Sequence, residues 1–470
     1  MCLGKDKRVW ALVFITGFAT ISNGQTGKSI RVRFDGNLQK NSVIAEDHSL
    51  TINYILPELD LTSLLNDNGS FYRLTIPGHT YTSTPGKPEL PVLSRLITIP
   101  QNGTYKIKIS KVRSEKINPS RKNIDGILFP AQESETKEPQ TKKPAFAFDK
   151  SSYSARDFLR SDTVRIDPVG TLRGNKLANL IISPVCYNPH SNVLEVITAM
   201  KIEIIFTGSK STKTLFPESA LFRESLDKGT LSYYETDLIT GYSDKPVRMV
   251  ILTDTAFKDQ LAPFIKWKTQ KGFRLDVLYK GADFAGENYT EIKGTLTDLY
   301  NSSTEDNPHP EYLLIIGSTS LVPYYGTGNV TDLYYGEFDG NGDYLPEMFI
   351  GRLPVEDTSQ LKTVLNKIIR YEKFEFADTN KFYSNALTTT GYDASYASYM
   401  NGQVKYAVTN YLTPENNINE YHFYYPQTQP AHKDSVMKLI NKGTSFINYS
   451  GHGSSTAWLH INIDTSDIRN

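Results

Sequence analysis

Met249-Val-Ile-Leu252 is followed by a helical stretch around Ala256 to Lys271, then by Leu275-Asp-Val-Leu278, a helix around Tyr289 to Tyr300, and Tyr312-Leu-Leu-Ile-Ile316. The alternation continues through a helix around Thr358 to Lys373, Ala386-Leu-Thr-Thr389, a helix around Ala397 to Leu412, and His422-Phe-Tyr424. A helix around Lys433 to Asn441 and the run Ser445-Phe-Ile-Asn-Tyr449 close the series. Strand and helix taking turns over these lengths predict parallel crossovers, because a parallel neighbour is reached only through a connection long enough to hold a helix. Residues 248–470 are therefore expected to form an α/β domain with a mostly parallel, doubly wound sheet.

Upstream the period is two. Ile30-Arg-Val-Arg-Phe34, Tyr72-Arg-Leu-Thr-Ile76, Thr104-Tyr-Lys-Ile-Lys-Ile109, Val193-Leu-Glu-Val-Ile197 and Lys201-Ile-Glu-Ile-Ile-Phe206 alternate apolar and polar side chains between turn residues. That pattern predicts antiparallel sheet over residues 25–208, as a sandwich or a barrel. Between Arg113 and Asp162 it loosens into Lys, Glu, Ser and Pro, notably Glu133 to Pro144, which reads as a solvated loop or a strap across a surface. Residues 209–247 carry apolar anchors such as Leu215, Phe216 and Leu221 without periodicity and are read as a connector.

Composition narrows the function. The 470 residues carry 51 Lys+Arg against 51 Asp+Glu, so no net charge draws the chain to nucleic acid, and nucleic-acid binding is not expected. Two cysteines are too few for a disulfide framework or a four-cysteine zinc site. Lys5, Lys7 and Arg8, the apolar run Val9 to Ala19, and then Ser22, Asn23 and Gly24 have the three regions of a secretory signal peptide over residues 1–24. The apolar run falls short of the ~20 residues that span a bilayer. Cys186 would then be the one thiol of the mature segment.

In a parallel sheet, ligands gather beyond the carboxyl ends of the strands. There Ser445 to Tyr449 runs into Ser450-Gly-His-Gly-Ser454, which sets His452 between two glycines. Missing Cβ atoms let another backbone approach the imidazole, and the Gly453 N–H can be turned toward a ligand oxygen. Asp393, in Gly391-Tyr-Asp393 after the Ala386 to Thr389 strand, is expected on the same rim, where a helix N-cap would explain it equally well. Asp339, Asp343 and Glu347 set oxygen side chains among glycines and read either as a calcium-binding loop or as a solvated turn. No G-x-S-x-G, H-E-x-x-H or P-loop motif is present.

Ile447-Asn-Tyr-Ser-Gly-His-Gly-Ser-Ser-Thr-Ala-Trp458 closely resembles the catalytic-histidine segment of gingipain-type cysteine peptidases. Tyr334-Tyr-Gly with Asp339-Gly-Asn-Gly-Asp343 and Phe349-Ile-Gly-Arg-Leu-Pro354 is similar to the family's metal-loop and Gly-Arg segment. Gly86-Lys-Pro-Glu-Leu-Pro-Val-Leu93 with Leu96-Ile-Thr-Ile-Pro100 is similar to its propeptide. The resemblance implies a secreted or cell-surface zymogen that passes outer-membrane secretion machinery. Its β-rich propeptide would inhibit intramolecularly a caspase-like peptidase domain that carries structural calcium and acts on protein or peptide substrates. It gives His452 the catalytic role, Asp393 the orienting one, and Gly453 a backbone donor to the oxyanion.

Family nucleophiles stand after the histidine, at the end of the next strand. The cysteine is therefore expected downstream of residue 470, the domain is expected to be truncated at its C-terminus, and residues 1–470 alone are expected to be inactive. Cys186, in the strand-like Ser183-Pro-Val-Cys-Tyr187, reads as a small buried hydrophobe. A non-catalytic secreted surface or binding protein reusing the fold is the alternative. A serine hydrolase using Ser454 or Ser455 is disfavoured, since those serines lie too close to His452 in sequence to face it.

Overall fold

The computed structural model describes residues 25–34, 41–46, 48–133, 144–208, 219, 229–231, 245–281, 283–304, 306–327, 330–340, 342–375, 382–391, 397–426, 432–454, 456–458 and 461–468. The signal segment 1–24, residues 134–143 of the strap, the connector anchors Leu215, Phe216 and Leu221, Asp393 and Ser455 lie outside them. The chain divides into two compact units, residues 1–361 and 362–470.

The first unit begins with three sheets around one core. Gln25–Arg33, Glu58–Asn66, Gly69–Thr75 and Ile127–Leu128 form one, and Val164–Leu172, Asn175–Ile182, Pro91–Ile99 and Thr80–Tyr81 a second. In the third, Val193–Thr207 pairs with Val185–Asn188, Ser49–Ile55 and Thr104–Ile117, and Ser42–Glu46 extends it. Alternation does what it should: in Ser49–Ile55 every second residue is buried, sending Leu50, Ile52 and Tyr54 inward to meet Leu61, Tyr72, Leu74, Leu180 and Ile202. The Thr104–Ile117 strand runs well beyond the expected Ile109. Its side chains are mostly exposed and its ladder to Val193–Thr207 carries two register shifts, so backbone pairing holds it where no apolar alternation could signal it.

The same unit holds a four-stranded, all-parallel sheet ordered Phe273–Tyr279, Val247–Thr253, Tyr312–Ile316, Phe349–Leu353. Six of the seven residues of Val247–Thr253 are buried, as a central strand covered on both faces requires. Helices Ala262–Gln270 and Tyr289–Asn301 provide the crossovers. Asn288 caps the second by accepting from the Thr290 and Glu291 N–H groups. The expected helix from Ala256 to Lys271 is broken: a 3₁₀ turn over Thr255–Gln260, capped by Asp254, precedes a helix that starts at Ala262. Pro263 lacks an N–H to donate and fits only the first turn, so the helix begins there.

The second unit has a three-stranded parallel sheet with Asn385–Thr390 between Asn419–Phe423 and Phe446–Ser450. All six residues of the central strand are buried. Helices Ala397–Asn410 and Lys433–Lys442 alternate with these strands, and Leu387, Val436, Ile461 and Ile463 form the core. Among the described residues Phe446–Ser450 is an edge, and it leaves Phe446 and Ile447 46% and 38% exposed.

Candidate functional site

His452 stands two residues beyond Phe446–Ser450. That strand pairs in parallel register with Asn385–Thr390, Thr390 opposite Ser450, and the Gly391 N–H donates to the Ser450 carbonyl at 2.8 Å. The two strands therefore release their chains side by side at one rim. The approach is close: a Cβ on Gly451 would lie 3.0 Å from the Gly391 Cα and 2.6 Å from the Tyr449 hydroxyl oxygen, so a side chain there would have to displace the Tyr449 ring and press on the Gly391 backbone. Among the described residues, a Cβ on Gly453 would meet the Ala457 carbonyl at 3.6 Å, an ordinary contact.

The loop is braced from behind. The Tyr449 hydroxyl donates to the His452 carbonyl at 2.9 Å, and its ring stacks on Trp458 with centroids 5.0 Å apart. The Ser454 N–H donates to the Ala457 carbonyl, which brings Trp458 back to that stack. Beneath it, Thr390 bonds the Asn401 side chain while accepting from the Tyr425 N–H, and Asn401 donates to the Tyr425 carbonyl. This polar cluster, at the strand end beside Ser450, carries no sequence motif. Asp393, two residues past Gly391, lies outside the described residues.

Cys186 is in the first unit, on Val185–Asn188, half-buried and 3.7 Å from an Arg160 guanidinium nitrogen. Burial pushes its thiol up, against the pull of Arg160, which is the opposite of what a nucleophilic cysteine needs.

Of the three acids of the glycine-rich loop, Asp339 and Glu347 stay near one another while Asp343 has partners of its own. Asp343 accepts from the Thr171 N–H at 2.6 Å and from the Leu345 N–H at 3.0 Å. Glu347 accepts from the Arg173 N–H, while its buried Oε1 meets no donor among the described residues. The Asp339 carboxyl group is near enough to Glu347 to raise its pKa. Among the described residues no group of three or more His, Cys, Asp or Glu is arranged around one point.

Residues 34–238 match the family model of the C25 propeptide, and residues 242–470 that of peptidase family C25. The chain belongs to the gingipain-type cysteine peptidase family. Lys-gingipain of Porphyromonas gingivalis is 29% identical over 471 residues, covering 97% of this chain and 26% of the relative. Gingipain R2 of the same organism is 23% identical over 467 residues, covering 97% and 61%. A structure solved for insight into the zymogenic latency of gingipain K from P. gingivalis covers 39% of this chain and 100% of its own, at 24% identity and a TM-score of 0.36. The chain thus spans 26% of the length of the Lys-gingipain that it matches.

Within a gingipain-type chain, Cys186 falls in the propeptide and His452 in the peptidase segment. The partners of Asp343 and Glu347, Thr171 and Arg173, are propeptide residues too. Sequence reading missed Arg173. Its signal was a two-residue turn, Arg173-Gly174, between the apolar runs of Val164–Leu172 and Asn175–Ile182, with both turn residues at positive φ.

Burial, with Asp339 adding to it, raises Glu347 from the ordinary 4.5 to about 9 against the pull of Arg173. A carboxyl group that stays protonated in the fold stabilises it fully below the unfolded value, and that contribution is lost as pH rises toward 9. Thermal unfolding at pH 5, 7 and 9 is therefore expected to show a decline that Glu347→Gln flattens. An identical slope in the variant would contradict the assignment.

Proposed function

We propose that this chain is the zymogen of a secreted cysteine endopeptidase with a caspase-like, doubly wound catalytic domain, its nucleophilic cysteine encoded beyond residue 470. The observation that carries the reading is the position of His452, between glycines just beyond a parallel strand end, with Gly451 close against Gly391 of the neighbouring strand end. His452 takes the proton of the cysteine thiol, and the thiolate attacks the scissile carbonyl. The Gly453 N–H donates to the developing oxyanion. His452 then protonates the departing amine, leaving a thioester that water, deprotonated by the same imidazole, hydrolyses. Asp393 holds the ring in its working tautomer and orientation. The exposed edge of Phe446–Ser450 supports a further strand pairing there, where the nucleophile would sit in the next loop.

Labelling the longer chain with a thiol-directed peptidyl inhibitor and mapping the modified peptide tests the proposal. Modification of a cysteine beyond residue 470, prevented by prior substrate, is expected. Modification of Cys186, or turnover with no cysteine modified, would end the thiolate reading.

Calcium belongs to the same proposal. The fit rests on the buried Glu347 Oε1 without a donor beside a second carboxyl group, an oxygen pair of the hardness that calcium takes. Asp339 and Glu347 would hold the ion with backbone carbonyls, and Asp343 could join only by giving up Thr171. Millimolar calcium is expected to raise the thermal midpoint of the propeptide-free protein, and chelation to reverse it. No shift in either direction would return the loop to a solvated turn.

A further inference from the structure

The Val164–Leu172 and Asn175–Ile182 hairpin of the propeptide projects its turn onto the starting ends of two peptidase strands, Tyr312–Ile316 and Phe349–Leu353. Arg173, at φ 46°, is held there with its side chain only 4% exposed. Its N–H donates to Glu347 Oε2, its Nε to the Glu347 carbonyl at 2.9 Å, and one Nη to the Pro310 carbonyl. The other Nη lies 4.0 Å from Glu311, and the guanidinium faces the Tyr300 ring at 5.9 Å. One residue earlier than Leu172, the Thr171 N–H meets Asp343, whose carboxylate occupies the space that a side chain on Gly170 would need. Glu311 also accepts from the N–H and hydroxyl of Ser219, in the connector.

We propose that this turn is a latch. Arg173 seats in a socket made by Pro310, Glu311 and Glu347, and it retains the propeptide on the peptidase domain once the connector between them has been cut. The chemistry suits retention. The planar guanidinium finds fixed carbonyl acceptors with a carboxylate nearby, a set that lysine cannot match. The socket lies at the strand starts, whereas the rim beyond Gly317 and Leu353, where parallel sheets place their ligands, is at the other end. Holding the propeptide by this turn is then a task apart from covering that rim. The latch rests on the zymogen being cut within the connector, residues 209–247, and on the family division of the chain.

The test uses the full protein with a recognition sequence for a specific protease inserted after Gly208, cut once, and followed by gel filtration and dissociation kinetics. The two pieces of the wild type are expected to co-elute. Arg173→Ala should raise the dissociation constant by ~100-fold, as loss of a buried Arg anchor does, with Arg173→Lys in between. Gly170→Ala, which intrudes on Asp343 without touching the turn, should weaken binding by ~10-fold through a contact of its own and serves if Arg173→Ala does not fold. Wild-type pieces that separate at once, or Arg173→Ala and Gly170→Ala pieces with unchanged dissociation rates, would overturn the latch. Natural processing found elsewhere than the connector would fail the processing reading alone, since the inserted site still reports on the socket.

Discussion

Replacing His452 with alanine, in the protein carried through to its nucleophilic cysteine, is expected to lower kcat/KM on peptide substrates by roughly three to six orders of magnitude. In the proposed mechanism the imidazole makes both proton transfers, so its removal would leave the thiol at its ordinary acidity and the leaving amine without an acid. Backbone donors would sustain the small remainder. Folding should survive, because what braces the loop is the Tyr449 hydroxyl on the His452 carbonyl and the stack on Trp458, neither of which uses the imidazole. Cys186→Ala in the same protein should leave turnover unchanged, since that thiol lies in the propeptide with its acidity weakened by burial. Activity that withstands His452→Ala would require a different base and remove the acyl-transfer scheme.

A loss of ~3–5 kcal/mol of stability is expected from Glu89→Ala, by the penalty of leaving a buried charge without its partner. Glu89 belongs to the Gly86-Lys-Pro-Glu segment. It accepts from the Arg73 Nε at 2.7 Å, with both side chains at or below 10% exposure and the guanidinium 4.9 Å from the Phe129 ring centroid. The segment delivers it there by backbone means. The Gly86 N–H donates to the Ala131 carbonyl, its own carbonyl accepts from the Asp149 N–H, and the Glu89 N–H donates to the Phe129 carbonyl. Gly86 has φ 82°, and a Cβ there would come within 2.9 Å of the Asp149 nitrogen, so the glycine and the acid serve one arrangement. Apolar replacement of both partners, Arg73→Met with Glu89→Leu, should restore most of the loss. Denaturant titration of the full chain distinguishes the cases, and a Glu89→Ala midpoint within ~1 kcal/mol of wild type would show that Arg73 finds other company.

What could be read from the residues follows what burial writes into them. Val247–Thr253 and Asn385–Thr390 are central strands, so Met249 to Leu252 and Ala386 to Thr389 stood out as runs. The glycines around His452 carried a backbone demand that the structure makes concrete at Gly451. Thr104–Ile117 was half visible, because an exposed face tolerates any side chain and leaves no period. The acids at 339, 343 and 347 were legible as a cluster, but their separate partners were not. Thr171 and Arg173 lie 172 and 174 residues from Asp343 and Glu347, and no local pattern reports a contact at that distance.

That separation bears on how the molecule comes to be made. Arg173 leaves the ribosome before Pro310, Glu311 and Glu347, so the antiparallel sheets can be complete while the four parallel strands are still being synthesised. A parallel sheet must close long loops before its contacts reward it, which makes it slow and exposes its edges on the way. A finished hairpin waiting for the starts of Tyr312–Ile316 and Phe349–Leu353 supplies a template that fixes two of the four strands as they emerge. Refolding from denaturant should accordingly be slower, and lose more protein to aggregation, for Arg173→Ala than for the wild-type chain.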